Sequence, residues 1–192
     1  MRLFLALTPS PEILSRIVAF QARLIEELGK EGITWVKPAN LHLTLLFLGE
    51  VPEKRMSALD QALDQTIGRN LEFQLRYFGL GKFGSLREPR VLWMGIQAPP
   101  ALLNLALAIA QAGQQFMPEK PPPFKAHLTL ARFRKPIGPS ASEILNSLIE
   151  AEADTEFGAQ YINRVSLVQS TLSSAGPLYK ILKNYQLRRK LC

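Results

Sequence analysis

The chain has 192 residues, 47% of them hydrophobic and 20% charged, with a net charge of +7, which suits one folded domain with a substantial core. No apolar run approaches the roughly 20 residues of a membrane-spanning helix. The single cysteine, Cys192, excludes an internal disulfide and a cysteine metal cluster, and a terminal thiol fits a reducing cytoplasm, where the protein is expected.

In chain order, "RLFLAL" reads as a buried first strand rather than a signal peptide, because its apolar run stops at Thr8-Pro9. "SPEILSRIVAFQARLIEELG" carries helix punctuation: Ser10 as N-cap, Pro11 at the first position, Gly29 as stop. Leu14, Ile17, Val18, Leu24, Ile25 and Leu28 recur at three- and four-residue steps and predict one buried face. "ITWV" is a short strand, Lys37-Pro38 a turn and "LHLTLLFLG" a longer strand. "PEKRMSALDQALDQTIG" is a second helix, and "LEFQLRYF" alternates like a half-buried strand.

"GLGKFGSLREPR" is expected to be a glycine-rich connection, followed by the strand "VLWMGI" and the helix "ALLNLALAIAQAG". A proline-rich loop, "MPEKPPP", leads into the strand "KAHLTLARF", and "SASEILNSLIEAEA" is an amphipathic helix. "INRVSLVQSTL" and "LYKILKNYQL", joined by "SSAGP", form a hairpin. Strand–helix–strand units on both sides of the middle predict a single α+β domain over residues 1–192, built from two similar lobes.

Charge is unevenly distributed. Residues 157–192 and 120–142 contain no Asp or Glu but many Lys and Arg, a segregation that suits a polyanion-binding face as well as a plain solvated surface. Gly79-Leu80-Gly81-Lys82-Phe83-Gly84 matches the dinucleotide pattern Gly-x-Gly-x-x-Gly, yet it runs into a turn and a strand instead of opening a helix, so no nucleotide cofactor is expected. Two histidines without cysteine partners, with Glu50 as the nearest acid in sequence, make a poor metal set.

The chemistry concentrates in the histidines. The chain has two, His42 and His127, and both open the tetrapeptide His-Leu-Thr-Leu. Chance repetition of that kind is of order one in a thousand with ordinary residue usage. On a strand, residues i and i+2 share a face, so His42 projects with Thr44 and His127 with Thr129, while the leucines anchor the opposite face. Two imidazoles flanking one reacting group can act as general base and general acid near neutrality. The threonine hydroxyls can donate to nonbridging oxygens, so a phosphate between the motifs could undergo in-line displacement without a metal. Which histidine is acid and which is base stays open on these grounds. Phe47 and Tyr179 are candidates for stacking on a base or ribose. Strict alternation puts Arg132, five residues beyond His127, on the wrong face for the phosphate unless the strand bulges or twists.

These motifs resemble those of the two-histidine (2H) phosphoesterases, and more narrowly the RNA 2′,3′-cyclic phosphodiesterases, historically called 2′-5′ RNA ligases. The likeness covers nearly the whole chain: "RLFLAL", "TWVKPANLHLTLLFLGE", "PRVLWMGI", "HLTLARF" and "SLVQSTLSSAGPLY". It implies a bilobal α+β fold with pseudo-twofold symmetry, expected here as two mainly antiparallel sheets flanked by helices, with the active-site cleft between lobes. It implies opening of a terminal 2′,3′-cyclic phosphate of RNA to a 2′-phosphate, with RNA ends or nucleotides as partners and neither cofactor nor obligatory protein partner. By the same resemblance His42 is the proton donor to the departing 3′ oxygen, His127 the base on water, Thr44 and Thr129 the holders of phosphate oxygens, and Arg132 a further match. A nucleotide-binding module without turnover, or a ligase acting without ATP, are the competing expectations.

Overall fold

The computed structural model describes residues 1–174 and 176–189, so Cys192 lies outside the described residues. Helix α1 (Pro11–Leu28) starts where its punctuation puts it: the Ser10 hydroxyl accepts from the Ile13 amide at 3.3 Å, Pro11 leads, and Gly29 closes the helix at φ 73°. Its buried stripe is Ile13, Ile17, Phe20, Gln21 and Leu24, with Leu14 and Val18 on the flank of that stripe rather than its centre. Helices α2 (Met56–Ile67), α3 (Pro100–Gly113) and α4 (Pro139–Ala151) turn Leu59, Leu63, Leu105, Ile109 and Leu145 into the same core. Within it α2 packs on α3 and α1 on α4. No helix among the described residues is long and apolar enough to cross a membrane.

The strands are β1 (Arg2–Leu7), β2 (Ile33–Trp35), β3 (Leu43–Glu50), β4 (Phe73–Gly84), β5 (Pro89–Gln97), β6 (His127–Phe133), β7 (Glu156–Ile162), β8 (Arg164–Ser173) and β9 (Gly176–Gln186). They form one sheet, ordered β7-β4-β5-β6-β3-β1-β8-β9, with β2 alongside β6. The expectation of two separate sheets is therefore corrected. The sheet is antiparallel throughout its strand pairs and curls, because its far ends are tied together. Leu71, just before β4, bridges Arg188, just after β9, and Asn163 alone separates β7, at one end of the order, from β8, next to last at the other. Helices cover one face; the other face is open and carries both histidines.

Two further differences from the sequence reading concern glycine. The run Gly79 to Gly84 is not a connection but the second half of the 12-residue strand β4. Gly79, at φ 71°, sits where β4 bulges against β5 between Tyr77 and Leu80. Gly81 lies under the Trp93 indole, where a Cβ would overlap the ring. Gly81→Ala should therefore lower stability by about 1–3 kcal/mol through overpacking, readable as a lower midpoint in denaturant. Strand β7 ("EFGAQYI") has no counterpart in the sequence reading: Gly158 and Ala159 interrupt its apolar alternation, and it is held by pairing with β4.

Candidate active site

The two His-Leu-Thr-Leu segments meet at the middle of the sheet. Leu43 of β3 pairs with Leu128 of β6, and both side chains are fully buried on the helix side. The strands run antiparallel, so His42 and Thr44 on one side of this pair lie across from Thr129 and His127 on the other. Alternation then turns all four to the open face. The spacing that looked like two separate motifs becomes one site with an approximate local twofold.

Both imidazoles are oriented alike. Nδ1 of His42 donates to the Asn40 carbonyl and Nδ1 of His127 to the Lys125 carbonyl, each at 2.7 Å and each two residues upstream. A carbonyl only accepts, so in the neutral rings the proton sits on Nδ1 and Nε2 is the basic atom. The Thr44 hydroxyl donates to Nε2 of His42 at 2.9 Å; no such bond joins His127 and Thr129 among the described residues. Phe4 and Tyr179 flank His42 at ring distances of 4.9 and 5.4 Å, and Phe83 stands edge-on to His127 at 4.9 Å. Burial holds both histidines below their ordinary pKa, and the Arg132 guanidinium pushes each further down.

Arg132 reaches this face because β6 bulges. Thr129 pairs with Trp93 and Ala131 with Leu92, so Leu130 is an extra residue without a cross-strand partner. Leu130 and Ala131 are both fully buried, and the alternation resumes one residue out of phase, with Arg132 beside Thr129. The other motif does the same. On β3, Thr44 pairs with Ala6 and Leu46 with Leu5, Leu45 is the extra residue, and Phe47 comes round to the face of Thr44. Each histidine thus has a partner five residues on, an arginine in one motif and a phenylalanine in the other.

The β6 bulge has its own support, which sequence reasoning missed. Gln21, the buried polar residue on the apolar face of α1, gives its side-chain amide protons to the Leu130 and Val36 carbonyls at 3.0 and 2.9 Å. The Leu130 carbonyl also accepts from the Val36 amide at 2.9 Å, so Gln21 adds a second donor there and clamps the bulge to the segment after β2. The available signal was a glutamine in phase with Ile17, Phe20 and Leu24. On the other side of the site, the Asn40 side chain donates to the Pro177 carbonyl at 3.0 Å and ties the β8–β9 hairpin to the turn before β3. Farther along β9, Tyr185 and Lys183 donate to Asp60 of α2 at 2.8 and 2.9 Å, which fixes the strand that carries Tyr179.

His42, Thr44, Phe47, His127, Thr129, Arg132 and Tyr179 line a single cavity of about 250 Å³. Thr34, Trp35, Val36, Lys37, Asn40, Gly176 and Pro177 complete its wall. Those seven were not named from the sequence. Thr34 to Asn40 stood out only as part of a longer block, and β2 brings them in by pairing with β6, Thr34 opposite Arg132. The cavity offers two Nε2 atoms, hydroxyls and a guanidinium around one volume, a set suited to an anionic tetrahedral group.

The chain matches the family model described as LigT-like phosphoesterase over residues 7–93 and 96–179. An RNA 2′,3′-cyclic phosphodiesterase of Aquifex aeolicus is 33% identical over 156 residues, 80% of this chain and 81% of its own. A crystal structure of a protein from Thermus thermophilus is similar with a TM-score of 0.82 at 29% identity, covering both chains in full. E. coli LigT complexed with 3′-AMP is similar with a TM-score of 0.75 at 26% identity, covering 97% of each. A match over so much of the chain, centred on two facing His-x-Thr motifs, makes it a member of the LigT-like phosphoesterases, the two-histidine family of hydrolases.

Proposed function

We propose that the protein hydrolyses the terminal 2′,3′-cyclic phosphate of RNA to a 2′-phosphate by general acid–base catalysis between His42 and His127, without a metal. The observation that carries this reading is the antiparallel apposition of the two motifs across the Leu43–Leu128 pair. It brings two imidazoles to one cavity, an arrangement that supports one acting as base and the other as acid in an in-line displacement at phosphorus. The activity named for the Aquifex relative points the same way.

In the reaction, Nε2 of His127 takes a proton from water as its oxygen bonds to phosphorus. The bond from phosphorus to the 3′ oxygen breaks, and that oxygen receives the proton of His42. The 2′ ester survives. Thr44, Thr129 and Arg132 hold the nonbridging oxygens as charge builds on them. Nε2 of His127 has no hydrogen bond among the described residues and is open to take the proton of water, whereas Nε2 of His42 accepts from Thr44; the choice of His42 as the acid comes with the family resemblance.

RNA ending in a 2′,3′-cyclic phosphate, incubated with the protein in EDTA, should yield a 2′-phosphate by chromatography against both isomers. A 3′-phosphate would exchange the two leaving oxygens and sink the assignment of His42; tight binding without product would mean a binding module. The pH dependence follows from the depressed pKa values. Turnover needs one histidine protonated and the other neutral, and in the free protein both protonate only below the ordinary range. The optimum of kcat/KM should therefore lie on the acid side of about pH 6.5. The optimum of kcat should lie higher, because the bound anion between the rings favours imidazolium.

A further inference from the structure

Arg2 opens β1, outside the cavity. Leu3, Leu5 and Leu7 are buried toward the helices, while Phe4 and Ala6 pack with Val168 and Tyr179 on the opposite face. Alternation turns Arg2 to that second face, the one that carries the histidines. The bulges between β1 and β3 place their extra residues on β3, so the alternation of β1 is unbroken. Leu3 pairs with Gln169 and Ser170 with Tyr179, so one step further out Arg2 reaches the level of Ser170 and Tyr179.

The Arg2 side chain is exposed and makes no hydrogen bond or salt bridge among the described residues. Its register partner Glu50 is engaged elsewhere, 3.3 Å from the N-terminal ammonium. Tyr179 therefore lies within electrostatic reach of two guanidiniums, Arg132 inside the cavity and Arg2 outside it. Both pull its phenol pKa down against the upward push of burial. One guanidinium in the cavity and a second outside it, at the level of the cavity's Tyr179, suit a terminal phosphate and the phosphodiester that precedes it. Guanidinium is well shaped for a phosphate diester, and a cationic track interleaved with aromatic rings is the usual way to hold a single strand.

We infer that Arg2 binds the phosphodiester one nucleotide upstream of the reacting end, so that the site is built for the terminus of an oligonucleotide rather than for a free cyclic nucleotide. This rests on the cyclic-phosphodiesterase reading of the cavity. The upstream phosphate lies beyond Tyr179, where Arg2 has no competing partner among the described residues, and a mononucleotide has nothing to place there.

The test compares kcat/KM for two substrates, adenosine 2′,3′-cyclic phosphate and the dinucleotide ApA ending in a 2′,3′-cyclic phosphate. In Arg2→Gln the ratio of dinucleotide to mononucleotide kcat/KM should fall about tenfold, in line with loss of a charge-assisted contact. Arg2→Lys, which keeps the charge, should retain most of the ratio. For the dinucleotide, the dependence of log KM on log salt should lose about one unit of slope in Arg2→Gln. An unchanged ratio overturns the inference, whether both rates fall together or neither moves, because Arg2 would then act through Tyr179 or not at all. If the wild-type protein opens neither compound, the reading of the cavity fails first and the upstream subsite falls with it.

Discussion

His127→Ala is expected to lower kcat/KM toward a 2′,3′-cyclic phosphate by about a thousandfold, and His42→Ala by a similar factor, within the range for loss of a positioned acid or base. The double variant should be little worse than either single one, since groups that act as a unit are not additive. Single-turnover assays of all three variants would decide it. Near-full activity in either single variant would remove that histidine from the mechanism. Losses that multiply in the double variant would mean that the two rings act independently. Folding is a minor concern: each ring forms one bond to a backbone carbonyl and ring contacts on the open face, while the leucines beside it carry the core.

Arg132→Met comes next, with an expected loss of about 30-fold in kcat/KM, the scale of a charged hydrogen bond to a developing anion. A second signature separates this role from a structural one. The guanidinium lowers the pKa of both histidines, so its removal should raise both and move the kcat/KM optimum to higher pH. Arg132→Lys should restore the pH optimum more fully than the rate, because a lysine supplies the charge without the planar fork. A loss of rate with the optimum unmoved would make Arg132 a surface cation rather than part of the site.

The contrast between these residues shows what alternation along a strand can and cannot reveal. His42 with Thr44, and His127 with Thr129, are two residues apart, and a period of two is enough to put each pair on one face. Arg132 and Phe47 are five residues past their histidines, an odd step that alternation sends to the helix side. A bulge at Leu130 and another at Leu45 reverse that. Their trace in the sequence is a doubled apolar residue after each threonine, Leu45-Leu46 and Leu130-Ala131, where a regular strand would bury one and expose the next. The support for one bulge comes from Gln21, more than a hundred residues away, and no local pattern could announce that.

The strands themselves were mostly visible, but their assembly was not. Repetition of strand–helix–strand units suggested two lobes, and two sheets were expected with the bilobal fold that the resemblance implies. Pairing partners are set by long-range contacts, and β4 illustrates the point. Its glycines at 79, 81 and 84 weaken the strand signal, yet one permits a bulge and another admits the Trp93 ring, so the strand continues across them to pair with β5. The short strand β7 was hidden for a related reason: two small residues gave it no alternation of its own.

The strand order also bears on how the two histidines keep their separation. The β6 side of the sheet takes β4 from the first half of the chain, and the β3 side takes β8 and β9 from the last part. The β3 flank joins strands from both ends of the chain, and the β6 flank joins strands from its middle with β2 from its first part. A pair of modules joined by a linker could rock apart and vary the gap between their catalytic groups. Here the covalent chain crosses the midline repeatedly, and the Leu71–Arg188 bridge ties the flanks at their far side, so the gap is held there as well as at the Leu43–Leu128 pair. The width of the site behaves as a dimension of the weave rather than as the play of a joint.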